Sequence, residues 1–167
     1  MEDISSMSAA EMFARRDAAE NEVASLIGKL VFSYSRLVTG LHLCVAWHND
    51  GKKLDSYRTK AEDFAAADLI KKIEEQAKSK HGVESDCFKS YESWAIRANA
   101  IRELRNIIMH SRWDIEPYGR HAIAISTPVL VEPIKEFTFT VDQLRLACSE
   151  CESLNRELNK LRKDCPL

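Results

Sequence analysis

Glycine and proline are scarce in this 167-residue chain, five and four residues respectively. That scarcity excludes a collagen-like or linker-rich polypeptide, and apolar residues at 45% exclude a disordered one. An excess of either charge is also missing. Lys and Arg total 24 against 26 Asp and Glu, for a net charge of −2. Such a chain does not coat nucleic acid by bulk electrostatics, although a local basic cleft is still open to it. There is no long unbroken apolar run. Val23 to Trp47 comes nearest, but Lys29, Arg36 and His42 interrupt it, whereas a spanning helix needs ~20 mostly apolar residues. It reads as a buried helix, and no membrane association is expected. The five cysteines (Cys44, Cys87, Cys148, Cys151, Cys165) are odd in number and irregular in spacing, and Met1 to Glu20 is polar and charged rather than a signal peptide. A disulfide framework is therefore not expected, and a reducing, cytoplasmic setting is.

What is present is helical periodicity. Ser8-Ala-Ala-Glu11 is a capping box that predicts a helix from about residue 9. Val23, Ile27, Leu30, Tyr34, Leu37, Leu41 and Val45 then recur in steps of three and four, up to a break at Asn49-Asp50-Gly51. One helix or two, with a break near Gly28 or Ala18–Asn21, both fit. Residues 51–58 read as a polar loop. Thr59 to Glu62 is a second capping box, predicting a helix to about Lys80 that His81-Gly82 ends. Ser85 or Asp86 caps a third helix over residues 87–112. Residues 121–126 and 135–140 alternate or carry β-branched side chains, which predicts a two-stranded hairpin within about 118–140. A third capping box, Thr140 to Gln143, opens a last helix to about Lys163, with Leu144, Ala147, Cys148, Cys151, Leu154, Leu158 and Leu161 on one stripe. The expectation is one domain over residues 1–167: an all-α, four-helix bundle with a short two-stranded β-hairpin before the last helix.

The third helix carries six residues that stand out, Arg105-Asn106-Ile107-Ile108-Met109-His110. Helical residues turn by about 100° each. With Trp94, Ile101, Leu104 and Ile108 marking the inner face, Arg105 falls at its edge. Arg102, Asn106 and His110 form a stripe at i, i+4 and i+8. An arginine at a core edge needs a partner, either an internal carboxylate or a ligand phosphate. Its guanidinium is a fixed fork for phosphate, and histidine as a residue type exchanges protons near neutral pH. A capping or salt-bridge network, with His110 answering the helix dipole, is the structural alternative.

The motif and its setting resemble the HEPN family: Arg-Asn-x-x-x-His late in the third long helix, then a small residue and an aromatic, a hairpin and a capped last helix. The match is close at the motif, while residues 20–163 match as architecture only. The resemblance implies a metal-independent endoribonuclease acting on RNA, with a toxin or defence effector as the biological role. Arg105 would match the arginine that holds the scissile phosphate, and Asn106 the polar residue that orients it or the 2′-hydroxyl. His110 would match the general base or acid. It also implies a homodimer with both motifs lining one cleft, and an antitoxin or other protein partner. Arg102 and Arg112 lie outside the family pattern and enter as added phosphate contacts.

Other signals are weaker. Cys148-Ser-Glu-Cys151 has no second pair, and zinc would need Cys44 and His48 from another helix, so small core residues are the expected reading. No metal site and no cofactor is expected. His42 reads as a satisfied core histidine. Tyr34, Arg36 and His42 are further candidates to reach the cleft from the first helix. Lys71-Lys72 through Lys80 reads as a solvated face. No glycine-rich phosphate loop or hydrolase elbow occurs. The alternative function is a non-catalytic helical module for RNA or protein binding and dimerisation, in which Arg105 and His110 serve structure.

Overall fold

A computed structural model of the chain describes residues 7–48, 51–52, 54–58, 64–116, 121–126 and 133–167. Five helices and three strands follow in order: α1 (Ala9–Ala46), α2 (Leu54–Arg58), α3 (Ala66–His81), α4 (Asp86–Met109), β1 (Ser111–Ile115), β2 (His121–Ser126), β3 (Glu136–Thr140) and α5 (Val141–Asp164). Four helices are long and α2 is a single short turn, in the stretch expected to be a loop. The chain divides into two compact units. A helical unit comprises Phe32–Leu104 and Ser149–Leu167, and a sheet-bearing unit comprises Met1–Val31 and Arg105–Cys148.

Helix ends are set by local side-chain chemistry. Ser8 Oγ accepts the Glu11 N–H while the Glu11 carboxylate accepts the Ser8 N–H and hydroxyl. Those bonds hold the Glu11 carboxyl below its usual range. Thr140 and Gln143 make the same reciprocal pair at α5. Ser85, not Asp86, caps α4, its Oγ accepting the Phe88 N–H at 3.1 Å. Gly82 closes α3 at φ 79°, a left-handed angle that favours glycine. The capping box at Thr59–Glu62 lies outside the described residues. Helix α1 runs unbroken through Gly28.

In the helical unit, Leu37, Leu41, Leu69, Ile70, Ile73, Tyr91, Trp94, Leu154 and Leu158 are at most 1% exposed. Burying an indole or phenol costs free energy unless its polar atom is bonded. Trp94 Nε1–H donates to the Leu154 carbonyl at 3.0 Å, and Tyr91 O–H donates to the Cys165 carbonyl at 3.0 Å. Arg97 spans α4 to α5 by pairing with both Glu150 and Glu157. These contacts make α4 and α5 antiparallel within the unit. Helix α1 meets α5 at Gly40, where a Cβ would make ordinary contacts with Asn155 Oδ1 at 3.4 Å and Leu158 Cδ2 at 3.7 Å.

The same antiparallel packing corrects the cysteine expectation. Cys87, in the first turn of α4, and Cys165, just past α5, form a disulfide with Cα atoms 5.7 Å apart. The two lie 78 residues apart in sequence, so only the fold brings them together. Cys44, Cys148 and Cys151 are buried and not disulfide-bonded.

In the sheet-bearing unit, α1 buries Val23, Leu26 and Leu30, and α5 buries Leu144, Ala147 and Cys148. The Cys148 thiol donates to the Leu26 carbonyl at 3.3 Å. The two-stranded hairpin is corrected to a three-stranded antiparallel sheet in the order β1-β2-β3. Helix α4 stops at Met109 rather than running to 112, and Ser111–Ile115 is the added strand. Strand pairing supplies the reason, because a hairpin alone is marginal and a third strand completes an apolar face. Trp113 sits opposite Ala124, which faces Phe137, and Ile115 sits opposite Ala122, which faces Phe139. No helix among the described residues is long and apolar enough to cross a membrane.

Candidate active site

The end of α4 and the strand after it present the sequence-derived residues. Arg105 and Asn106 are half-buried, and His110 occupies the exposed turn between α4 and β1. Asn106 is the hub. Its Oδ1 accepts from Arg105 Nη1 at 3.2 Å, and its backbone carbonyl accepts the His110 N–H at 3.1 Å. The amide side chain thus steadies the guanidinium, and the backbone bond is the last regular helical bond of α4. Ile108, between them, is 2% exposed and anchors this turn in the core. Arg112 follows on β1 and is exposed. All four residues belong to the sheet-bearing unit.

Arg102 belongs to the helical unit. Its Nε donates to Asn99 Oδ1 and its Nη2 to Glu103 Oε1, both at 3.2 Å. Tyr34, Arg36 and His42 belong to that unit too. Tyr34 is 9% exposed, in the core. Arg36 lines a shallow cleft with Asn155 and Arg156. His42 Nδ1 is 2.6 Å from the Tyr57 hydroxyl, so it is a hydrogen-bonded, half-buried histidine. On α3, Lys71 pairs with Glu75 with both side chains well exposed, a solvated face.

The strand placement reveals what the motif spacing does not. Trp113 Nε1–H donates to the Ile108 carbonyl at 3.0 Å, which ties the indole to the last turn of α4. Its ring lies 5.8 Å from the Phe139 ring, tilted by 34°. Trp113 then forms the wall of a cleft of about 450 Å³ between α1 and β1, floored by Val23, Ile27 and Ile115. At its rim, Arg16 Nη2 meets Asp114 Oδ1 at 2.8 Å, with Glu20 beside them. Asp114 Oδ1 also accepts the Ile115 N–H at 2.8 Å, which fixes that carboxylate to the strand. The alternating burial of Ser111–Ile115 is the one local signal of this wall. The pairing with α1 spans 98 residues and has none.

Burial pushes the Cys44 thiol up to about 11, against an opposing pull from Arg162. Burial likewise raises Tyr91, with Cys44 adding to the effect. Both groups are core residues of the helical unit. Among the described residues no three His, Cys, Asp or Glu side chains converge as a metal site.

Compared with known proteins, the chain matches no family model, no curated protein and no solved structure.

Proposed function

We propose that the chain is a metal-independent endoribonuclease of HEPN type. The observation that carries this reading is that Arg105, bonded to the Asn106 amide, and His110, in the exposed turn that follows, share the last turn of α4. A guanidinium suited to a phosphate and an imidazole suited to proton transfer then leave one helix end within five residues. In the proposed reaction Arg105 binds the non-bridging oxygens of the scissile phosphate. His110 accepts the 2′-hydroxyl proton while water protonates the departing 5′-oxygen, or it protonates that oxygen while water takes the 2′-hydroxyl proton. The 2′-oxygen forms a bond to phosphorus as the bond to the 5′-oxygen breaks. The products are a 2′,3′-cyclic phosphate and a 5′-hydroxyl. A preorganised cation on the developing charge is typically the largest catalytic contribution. Arg112 is an added phosphate contact, and Arg102 enters only if it leaves Glu103.

The four long helices support a HEPN-like helical bundle that carries a small sheet. With this reading go a homodimer, a toxin or defence role, and an antitoxin or other protein partner; the expected cytoplasmic setting loses its cysteine argument to the Cys87–Cys165 bridge. The test is incubation of the purified chain with single-stranded RNA in EDTA, followed by analysis of the product ends. Cyclic-phosphate and 5′-hydroxyl ends are expected. Intact RNA of every sequence tried, or products with 3′-hydroxyl ends, would refute the proposal.

A further inference from the structure

Beside the motif lies a cleft that the cleavage chemistry does not use. Its volume of about 450 Å³ falls within the range of sites that enclose a small ring system. The floor is aliphatic, the wall is one indole, and the rim carries Arg16, Asp114 and Glu20. Arg16 is already engaged by Asp114, so the rim offers carboxylate oxygens rather than a free cation. Asp17 and Glu20 line the adjoining depression on α1 and add to that character. A rim of this sign repels phosphate. It accepts a flat, uncharged group that presents N–H donors.

A nucleobase has that chemistry. Bases splayed from single-stranded RNA stack on aromatic side chains and are read on their hydrogen-bonding edges. Trp113 is suited to such stacking, because its own N–H is used on the Ile108 carbonyl and its plane is therefore fixed. The three-residue step from His110 to Trp113 spans at most about 10 Å along an extended chain. A base on the indole and a phosphate at His110 can therefore belong to one RNA segment. A carboxylate accepts only. Guanine offers two adjacent N–H donors on its pairing edge, whereas uracil offers a single N–H between two carbonyls.

We infer that this cleft is a base-binding subsite, with a guanine stacked on Trp113 and its N–H edge held by Glu20. The inference rests on the RNA-cleavage reading and assigns the site a base preference.

The experiment uses the full chain carrying His110→Ala, so that RNA survives the measurement. Binding of two labelled single-stranded heptamers is followed by fluorescence anisotropy, one all uridine and one with a central guanosine. The guanosine oligomer should bind more tightly. Trp113→Ala should weaken it by roughly five- to a hundredfold, the usual range for one stacked base. Ala24→Phe places a ring in the cleft from an exposed position of α1, so the fold is kept, and it should weaken binding similarly. Glu20→Gln should erase the guanosine preference while all-uridine binding stays the same. Equal affinity for both oligomers, together with unchanged binding by the Ala24→Phe protein, would overturn the subsite. If the unmutated chain nevertheless cleaves RNA, the cleavage reading survives and only this inference falls. If no RNA is bound or cut at all, both fall together.

Discussion

Trp94 and Trp113 make the same bond in two different settings. Each indole N–H donates to a backbone carbonyl at 3.0 Å. Trp94 does so in the helical unit with no exposed surface, while Trp113 does so in the sheet-bearing unit and keeps part of its ring at a cleft. The arginines of α4 differ in a parallel way. Arg97 is held by two carboxylates of α5, and the partners of Arg105 include the amide of Asn106. The first part of α4 spends its polar groups on the fold. Its last turn, and the strand after it, arrange polar groups at a surface where a ligand can reach them.

Truncating the two tryptophans should break this parallel most visibly. Trp94→Ala should cost about 3–5 kcal/mol, the usual range for emptying a large aromatic site in a core. Trp113→Ala should cost less, because its ring is only partly buried. Denaturant unfolding of both variants measures the gap, and equal losses would remove the distinction between the units. The disulfide should come next. Cys87→Ser should destabilise by about 2–4 kcal/mol through the helical unit, lowering the unfolding midpoint while leaving RNA cleavage per folded molecule unchanged.

Alkaline pH should sharpen the contrast further. The Cys44 thiol keeps its proton in the fold up to about 11. The unfolded chain loses that proton nearer the ordinary thiol value, so it binds fewer protons across this window. Stability is then full at pH 8 and falls as pH rises from about 9 towards 11. The urea midpoint should drop between pH 8 and pH 10.5, and Cys44→Ala should flatten that drop in part, the remainder coming from Tyr91. The smallest effect belongs to the α5 cap. Thr140→Ala should cost about 1 kcal/mol, read as a small fall in melting temperature.

The helices were legible because their signals are local. Ser8 with Glu11 and Thr140 with Gln143 start α1 and α5 by bonds that span three residues. The stripe from Leu144 to Leu161 is buried as its spacing implied. Strand β1 was not legible, because one turn residue, His110, separates helix from strand and no glycine or proline marks the change. Its partner β2 was recognised, but the pairing of Trp113 with Ala124 depends on the whole unit. The Cys87–Cys165 bridge was hidden for the same reason, since sequence spacing does not give connectivity. The motif was readable at the level of one helix turn. The cleft beside it was not, because Arg16 and Asp114 meet only after the chain has folded back across 98 residues.

If the end of α4 serves chemistry rather than the fold, His110→Ala should remove activity and spare stability. Wild-type and variant proteins are given the same single-stranded RNA in EDTA, and their cleavage rates are compared at matched folded concentration. A loss of ~100- to 10,000-fold is expected, typical of a missing general acid or base, with a melting temperature close to wild type because the residue is exposed. Cleavage that persists at the wild-type rate in the His110→Ala protein would contradict it.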